Sequence, residues 1–239
     1  MNNHTVALVP AAGRGLRMGG AVAKQFLALG GEPLVVHSLR VLQNSPIIDQ
    51  IVLAVPQVDL DYCLNDLAVR FGFSKITKVV AGGKERQDSV RHALEHVPVE
   101  AEIVVVHDAV RPFLTERMVA EVVDAARRVG GAIIALPMRD TVKHVGLEHQ
   151  IERTVDRRPL WLAQTPQAFR RDRLLDVHRK AHAESVHATD DAFLFEWAGH
   201  QVVVVEGSGE NIKVTRPEDM IIGEAILASR RSGSMKGSV

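Results

Sequence analysis

The chain has only one cysteine, Cys63, and no net charge. A single cysteine excludes an intramolecular disulfide and a metal site built from several thiolates. Cys63 falls in a predicted helix, where we expect a buried and inert thiol. Lys plus Arg and Asp plus Glu number 29 each. This balance argues against a general binder of nucleic acid or anionic membrane, because such binding depends on net positive charge, but it leaves room for a locally basic pocket.

Long hydrophobic runs are also missing. No apolar run approaches the roughly 18 residues that are needed to span a bilayer, and the N-terminus lacks the pattern of a signal peptide. We therefore expect no membrane segment and a cytoplasmic location. The 11 histidines are scattered without the spacing of metal ligands, so we assign none of them to a metal.

What the sequence does contain is a short apolar strand that runs straight into a loop of small residues. Small residues let backbone N–H groups close around an anion, and cations beside such a loop neutralise phosphate. The segment therefore predicts a nucleoside triphosphate site, at the first strand–loop turn of an α/β domain. The small residues are Ala11, Ala12, Gly13, Gly15 and Gly19, and the cations are Arg14, Arg17 and Lys24.

Two well-known phosphate-binding loops do not fit this segment. The dinucleotide motif G-x-G-x-x-G needs glycine where the chain has Met18, and the next strand ends without the acid that binds ribose. A P-loop needs Lys and Ser or Thr after its last glycine, whereas Ala21 and Val22 follow Gly20. The alternative interpretation of the loop is a tight turn between a strand and a helix.

Apolar β-rich runs alternate with amphipathic helical stretches along the chain. This order predicts an α/β fold with a mostly parallel, Rossmann-like sheet and helices on both faces, contained in one domain over 1–230. Ligands of such folds bind beyond the carboxyl ends of the strands. The predicted strands are Thr5–Pro10, Ile48–Val55, Ile76–Val80, Ile103–His107, Ala132–Leu136 and Gln201–Glu206. The predicted helices are Leu34–Gln43, Leu60–Arg70, Glu85–His96, Glu116–Val129, Arg171–Ala183, Asp190–Ala198 and Pro217–Ser229.

The segment 139–158 departs from that alternation. Two limbs of alternating apolar and polar residues flank a turn at Gly146, which predicts a protruding β-hairpin arm. An isolated hairpin is marginally stable in water, so we expect the arm to pack on the partner subunit of a homodimer. Thr141 and the stretch 154–158 lie on its limbs, where surface charge is normally only solvated.

A cluster of polar residues follows the third predicted strand, in Ala81–Ser89. Arg86 and Ser89 fall in or near the first turn of the next predicted helix, where free N–H groups and the helix dipole favour anions. The alternative is an ordinary turn and helix start.

Another cluster, His107–Phe113, follows the most apolar strand. An acid at this edge of the sheet, Asp108, is placed to meet a Mg²⁺–phosphate group or a ribose hydroxyl, and Arg111 is placed to meet a second phosphate. The alternative is a local ion pair between these two residues that only fixes the loop.

The segment 211–219 combines structural and functional signals. Thr215 and Glu218 have the spacing of a helix capping box, but capping does not explain Lys213. The apolar residues on either side of Lys213 alternate with it, which turns its side chain to the opposite face. Beyond this helix we expect a disordered tail over 231–239.

Across these clusters cations outnumber any acid–base pair. This inventory favours phosphoryl or nucleotidyl transfer, because a phosphate nucleophile is largely ionised at neutral pH and needs positioning and charge neutralisation rather than a general base.

With these residues assembled, the chain resembles the 2-C-methyl-D-erythritol 4-phosphate cytidylyltransferases of the non-mevalonate isoprenoid route. The resemblance runs from Val6 to about Ala228 and rests on several motifs in order: PAAGRGLRMG with KQF, AGGKERQDSV, HDAVRPF, RDTVK, TVDR, QTPQAF and NIKVTRPED. It implies transfer of a cytidylyl group from CTP to the phosphate of methylerythritol phosphate, with Mg²⁺ as cofactor and release of pyrophosphate.

The resemblance also implies roles for individual residues. Arg17 and Lys24 match the catalytic pair on the triphosphate, and Arg157 and Lys213 match the pair that holds the substrate phosphate in line. Asp108 matches the residue near ribose, metal and substrate. Thr141 and Arg111 match the acceptor side, and the arm implies that Thr141 and Arg157 serve the partner's site. The cytidine pocket is matched by Ala11, Ala12, Gly13, Gly82, Gly83 and Ser89, and the loop and helix-start arguments add Gly15 and Arg86.

Two departures from the family pattern bear on specificity. Lys84 stands where the family often has an acid, which affects base recognition. HDAVRPF also resembles related ribitol-5-phosphate cytidylyltransferases, so a different polyol phosphate acceptor is the first alternative. A non-catalytic nucleotide-binding dimer is the second, and the presence of both Arg17 and Lys24 argues against it, since a binding module need not stabilise a transition state.

Overall fold

A computed structural model describes residues 4–13 and 23–236 of the chain. Within these ranges the strands are β1 (Thr5–Pro10), β2 (Ala28–Leu29), β3 (Glu32–Pro33), β4 (Gln50–Val55), β5 (Ile76–Ala81), β6 (Ile103–Val106), β7 (Gly131–Pro137), β8 (Val142–Val145), β9 (Ile151–Val155), β10 (Trp161–Arg170) and β11 (Val203–Glu206). The helices are α1 (Leu34–Asn44), α2 (Ala68–Arg70), α3 (Arg86–Leu94), α4 (Glu116–Val129), α5 (Arg171–Ala183), α6 (Asp191–Trp197) and α7 (Pro217–Lys236).

Seven of these strands form one sheet in the order β11-β7-β10-β6-β1-β4-β5. Every neighbouring pair is parallel except the two pairs that contain β10, which runs antiparallel to both β6 and β7. The predicted fold class, a mostly parallel sheet covered by helices, is therefore confirmed.

Strand β1 lies inside the sheet, and its residues from Val6 to Val9 are all apolar. Ala7 and Val9 face one core cluster, whereas Val6 and Leu8 face another on the opposite side of the sheet. Because these four residues are buried on both faces of the sheet, each of their positions favours an apolar side chain.

The helices form a layer on each face of the sheet. Helices α1 and α4 pack on one face, and α3, α5 and α6 pack on the other. In α4 the Thr115 hydroxyl accepts a hydrogen bond from the Met118 N–H, and Gly130 ends the helix at a φ of 112°, which glycine adopts without strain. The predicted apolar stripe of this helix is buried, as expected: Met118, Val119, Val122, Val123 and Ala126.

Strand β10 is the main element that the sequence did not predict. Its run contains Pro166, which has no N–H for a ladder and is uncommon inside a sheet. Regular pairing with β7 is interrupted between Ala163 and Gln167, and the Thr165–Pro166 bond is cis. The strand resumes after this irregularity, so the proline sits in the gap between two paired stretches.

The region of the helix predicted over Leu60–Arg70 contains three types of helical turn in succession. A 3₁₀ turn at Gln57–Asp59 precedes a π-helical turn at Tyr62–Leu67, and α2 follows. Cys63 is buried in the π-helical turn, as predicted. Burial, reinforced by the negative charge of Asp59, raises the pKa of its thiol to about 12, so the thiol stays protonated at neutral pH.

The predicted arm is present as a separate two-stranded sheet formed by β8 and β9. Three of its apolar side chains, Val145, Leu147 and Ile151, are exposed.

The C-terminal segment differs from the prediction. Helix α7 continues to Lys236 instead of giving way to a disordered tail at position 231, and 237–239 lie outside the described residues.

Among the residues described, no helix combines the length and the apolar character needed to cross a membrane.

Candidate active site

The loops that follow β1, β5 and β6 meet at the carboxyl edge of the sheet and enclose a cavity of about 140 Å³. Sequence-predicted residues from all three loops line this first cavity, as parallel strands place their carboxyl ends side by side. They are Ala11, Ala12, Gly13, Lys24, Gly83, Arg86, Ser89 and Asp108, and they are joined by Lys213 from the segment before α7. Lys84, the residue that departs from the family pattern, lines it too.

The turn into α3 is held in one geometry by its own polar groups. The Glu85 carboxylate accepts from the Asp88 N–H, and the Asp88 carboxylate accepts from the Glu85 N–H at 3.2 Å. The Gly83 N–H donates to Ser89 Oγ at 3.1 Å. These bonds fix the start of α3, from which Arg86 extends into the cleft.

Gly82 lies where the β1 loop and the α3 turn touch. A Cβ at this position would clash with Ala12 Cβ and lie 2.8 Å from Ser89 Oγ. Only glycine leaves room for this contact, so Gly82 lets the β1 loop and the α3 turn pack directly against each other.

Asp108 stands at the centre of the cleft between cations. Its Oδ1 accepts from Arg86 Nε at 2.8 Å, and its Oδ2 accepts from Lys213 Nζ at 2.7 Å. Arg111 Nε is 3.9 Å from the same Oδ2, so the local ion pair between Asp108 and Arg111 is the weaker contact. The Arg111 guanidinium instead donates to the Asn211 carbonyl at 2.8 Å.

These contacts set the charge states in the cleft. Burial by itself would raise the pKa of Asp108, but Arg86 and Lys213 outweigh it and hold the pKa well below its usual range. Burial would likewise lower the pKa of Arg86, and the carboxylates of Asp191 and Asp108 raise it instead. The cleft therefore holds a permanent carboxylate next to the permanently charged guanidinium of Arg86.

The side chains of His107 and Thr165 fix the backbone of Asp108 through a chain of hydrogen bonds. The Arg111 carbonyl can only accept, so His107 Nε2 donates to it at 3.1 Å. That leaves His107 Nδ1 as the acceptor for the Thr165 hydroxyl, also at 3.1 Å. Thr165 Oγ1 in turn accepts from the Asp108 N–H at 3.0 Å. Burial lowers the pKa of His107 to about 4, in keeping with a neutral ring.

A second cavity, of about 180 Å³, adjoins the first. Arg86, Asp108 and Lys213 line both cavities, so the charged cluster forms the boundary between them. The second cavity is otherwise lined by Arg111, Ala163, Gln164, Thr165, Gln167, Thr189 and Asp190.

Lys213 reaches this boundary because the chain before α7 is tied to the loop after β6. The Val214 N–H donates to the Val110 carbonyl at 2.9 Å, and Val214 is buried. Lys213 therefore turns to the opposite side, as predicted from the alternation. The helix cap differs from the prediction, because the carboxylate that accepts from Thr215 and the Arg216 N–H belongs to Asp219 rather than Glu218.

The side chains available as ligands in the cleft decide whether it can hold a metal ion. Among the described residues, no group of three or more His, Cys, Asp or Glu side chains is arranged to hold a metal ion. Asp108 is the predicted metal ligand, and each of its oxygens keeps a free lone pair beyond the two used by Arg86 and Lys213. One carboxylate fits a Mg²⁺ whose other ligands are substrate phosphates and water.

The remaining predicted residues lie elsewhere. Gly15 and Arg17 are outside the described residues. Gly82 packs behind the first cavity, and Arg111 lines the second. Thr141 and Arg157 are exposed at the arm and line neither cavity of their own chain. Arg157 Nη1 donates to the Arg139 carbonyl at the base of the arm.

Sequence reasoning missed several polar residues of the second cavity. Gln164, Thr165 and Gln167 belong to the unpredicted strand β10. Asp190 was assigned to a helix start, and it does cap α6 by accepting from the Phe193 N–H at 3.0 Å. The available signal was the polar run QTPQ inside an otherwise apolar stretch.

Two solved structures with the same architecture place the chain in the class of α/β nucleotidyltransferases. The chain superimposes on a 4-diphosphocytidyl-2C-methyl-D-erythritol synthase from Anaerococcus prevotii with a TM-score of 0.84 and 30% identity, covering 95% of this chain and 97% of that one. It matches a 2-C-methyl-D-erythritol 4-phosphate cytidylyltransferase from Thermus thermophilus with a TM-score of 0.78 and 32% identity, covering 93% and 98%.

Sequence comparison identifies the particular enzyme family. The sequence model of 2-C-methyl-D-erythritol 4-phosphate cytidylyltransferase matches residues 5–229. A protein of that name from Syntrophus aciditrophicus is 47% identical over 227 residues, covering 95% of this chain and 97% of the relative. The chain belongs to the 2-C-methyl-D-erythritol 4-phosphate cytidylyltransferase family, which confirms the resemblance that the motifs indicated.

We expect Gly82→Ala to weaken CTP binding by about 10-fold or more, because the added methyl group pushes the Ala12 loop away from Ser89. Calorimetric titration with CTP measures the effect. Gly209→Ala is the matched control, since a Cβ there meets no atom within 4 Å. Equal affinities for the two variants would contradict this role of Gly82.

We expect His107 to make the folded protein less stable as the pH is lowered from 6.5, the ordinary pKa of histidine, to about 4, the pKa of His107 in the folded chain. In that window the unfolded chain binds a proton that the folded chain excludes, so acid favours unfolding, by about 3 kcal/mol for a shift of this size. Urea unfolding across the window measures the slope. His107→Gln keeps a donor for the Arg111 carbonyl and cannot titrate, so an unchanged slope in this variant would contradict the assignment.

Proposed function

We propose that the first cavity binds CTP and the second binds 2-C-methyl-D-erythritol 4-phosphate. The acceptor phosphate then attacks the α-phosphorus in line, giving 4-diphosphocytidyl-2-C-methyl-D-erythritol and pyrophosphate. The observation that carries this division is the boundary formed by Arg86, Asp108 and Lys213, which line both cavities. Two substrates bound on either side of it bring their reacting groups together at these residues.

The chemical demand at that boundary is electrostatic. The attacking phosphate is already largely ionised at neutral pH, with a second pKa near 6, so it needs no base. It must approach a second anion, and fixed cations lower the energy of that approach. Lys24 lies on the first-cavity side, where we assign it with Arg17 to the triphosphate, and Lys213 lies between the cavities.

Lys213 has a further task in this scheme. Before the acceptor binds, its ammonium is paired with Asp108 at 2.7 Å, and its side chain is 38% exposed. An arriving phosphate competes with the carboxylate for the same ammonium. Arg86 stays on the other oxygen of Asp108, so the carboxylate keeps a counter-charge when Lys213 turns to the substrate.

Mg²⁺ is the cofactor that the proposed reaction calls for. Asp108 would be its protein ligand, with triphosphate oxygens and water completing the coordination. The ion supplies neutralisation of the charge that builds up on the leaving pyrophosphate. The Asp108 side chain, held from two sides by Arg86 and Lys213, has its position fixed before the nucleotide arrives.

We also propose that the enzyme works as a homodimer through the arm at 139–158. The exposed apolar residues Val145, Leu147 and Ile151 give the arm a surface that a second copy would bury. Thr141 and Arg157 line neither cavity of their own chain. Their placement on the arm supports the assignment of both residues to the partner's acceptor cavity.

The first test compares acceptors. We expect pyrophosphate release from CTP and Mg²⁺ with methylerythritol 4-phosphate and not with ribitol 5-phosphate. Lys213→Ala should lower kcat/KM about 100-fold, the usual cost of one preorganised charge-stabilising group. Lys180→Ala, which removes an exposed lysine on α5, is the matched control. Turnover with ribitol 5-phosphate alone would show that the acceptor is ribitol 5-phosphate and not methylerythritol 4-phosphate. CTP binding without turnover would favour a non-catalytic nucleotide-binding protein.

The second test asks which subunit supplies Arg157. Lys24→Ala and Arg157→Ala should each be nearly inactive. Mixed dimers then contain one site with both changes and one intact site, so an equal mixture should recover roughly a quarter of wild-type activity if subunits exchange at random in a two-fold dimer. No recovery from a mixture that has exchanged subunits would place Arg157 in the site of its own chain.

A further inference from the structure

The charged cluster of the cleft continues into the protein interior through residues that line neither cavity. Arg86 uses its two ends differently: Nε donates to Asp108 Oδ1 at 2.8 Å, and Nη1 donates to Asp191 Oδ2 at 2.8 Å. His178 Nε2 then donates to Asp191 Oδ1 at 3.0 Å. The order His178–Asp191–Arg86–Asp108 thus joins helices α5, α6 and α3 to the loop after β6.

The inner half of this chain is fully enclosed. The side chains of Asp191 and His178 are 1% and 0% exposed. Both carboxylate oxygens of Asp191 are engaged, one by Arg86 and one by His178. Burial would raise the pKa of Asp191, but Arg86 and the hydrogen bond from His178 lower it to about 2. Asp191 is therefore a permanent anion directly behind Arg86.

The position of Arg86 makes that anion relevant to the reaction. Arg86, like Lys213, lines both cavities, and on the proposed function each of these cavities receives a phosphate group. Without a counter-charge behind it, a guanidinium so placed would turn to either anionic substrate. Asp191 holds Nη1 on the inner side, and this leaves Nε directed at Asp108.

We propose that Asp191 and His178 are positioning residues for the cytidylyl transfer, which keep Arg86 on Asp108 while Lys213 moves to the acceptor phosphate. The inference rests on the proposed function of the cleft. A role limited to stability would also place a buried ion pair here, since removing one partner leaves an uncompensated charge. The two roles differ in what happens to turnover in variants that remain folded.

Asp191→Asn is the main test. We expect kcat with methylerythritol 4-phosphate to fall about 10-fold to 100-fold, as is usual when the support of a reacting group is lost, while the KM for the acceptor changes by less than about 3-fold, because the groups that would contact it remain. Asp191→Glu should restore part of kcat. His178→Leu should lower kcat by a smaller factor, and His178→Gln, which keeps an N–H donor, should stay within about 2-fold of wild type.

A second readout follows Arg86 itself without turnover or metal. In wild type the Arg86 Nε–H is hydrogen-bonded to a buried carboxylate, so its NMR signal, assigned with Arg86→Lys, should exchange slowly with solvent. We expect Asp191→Asn to speed this exchange and His178→Gln to leave it unchanged. Leu174→Ala is the stability control, because Leu174 is a buried residue of α5 outside the charged chain.

Each outcome decides the inference. Folded Asp191→Asn with kcat within about 2-fold of wild type overturns it, as does an equal loss of kcat in Leu174→Ala of matched stability. If Asp191→Asn does not fold, His178→Leu and His178→Gln carry the test, and equal kcat in those two would overturn it. An inactive wild type in the same assay would contradict the proposed function instead, so the two failures are told apart.

Discussion

The arrangement of the cleft depends on one buried carboxylate, Asp108, and the two cations that share it. A carboxylate in this position is costly unless it is paired on both oxygens, and Arg86 and Lys213 provide that pairing. The pairing also sets where the cations stand. Arg86 is drawn from α3 and Lys213 from the segment before α7, so a single anion brings together residues that are far apart in sequence. The two cavities meet at this point because the cluster forms a shared wall of both.

The sheet is what brings the loops to Asp108. Because β1, β5 and β6 run parallel, the loops that follow them leave the same edge. Strand β10 runs the other way, and its irregular stretch brings Gln164 and Thr165 to that edge from the middle of a strand rather than from its end. The side of the cleft with the first cavity is thus built from loops after parallel strands. The side with the second cavity depends on an antiparallel strand and on the helix start at Asp190.

The sequence predicted the first of these sides better than the second, for a physical reason. A glycine-rich turn after an apolar strand carries its function in local spacing, so the loop at Ala11–Gly13 and the α3 turn were both recognisable. Thr165 has no local signal, because its role comes from a contact with His107 that is 58 residues away in sequence. Asp191 likewise reads as an ordinary first-turn residue of α6, and only the fold shows that it faces Arg86. Pairing between charged residues that are far apart in the chain produces no local or periodic pattern in the sequence, so sequence reasoning cannot detect it.

The pairing of Lys213 with Asp108 has a consequence for anions other than the substrate. A pocket of bare cations would accumulate inorganic phosphate and sulfate from the surrounding solution, and those ions would occupy the place of the acceptor. Here the resting pocket already contains its own anion, attached to the protein at high effective concentration. A simple anion must displace that carboxylate and has no further contacts to offset the loss. On the proposed function, the acceptor also carries hydroxyl groups that can hydrogen-bond to the polar side chains lining the second cavity, so the internal salt bridge would favour this larger ligand over a simple anion.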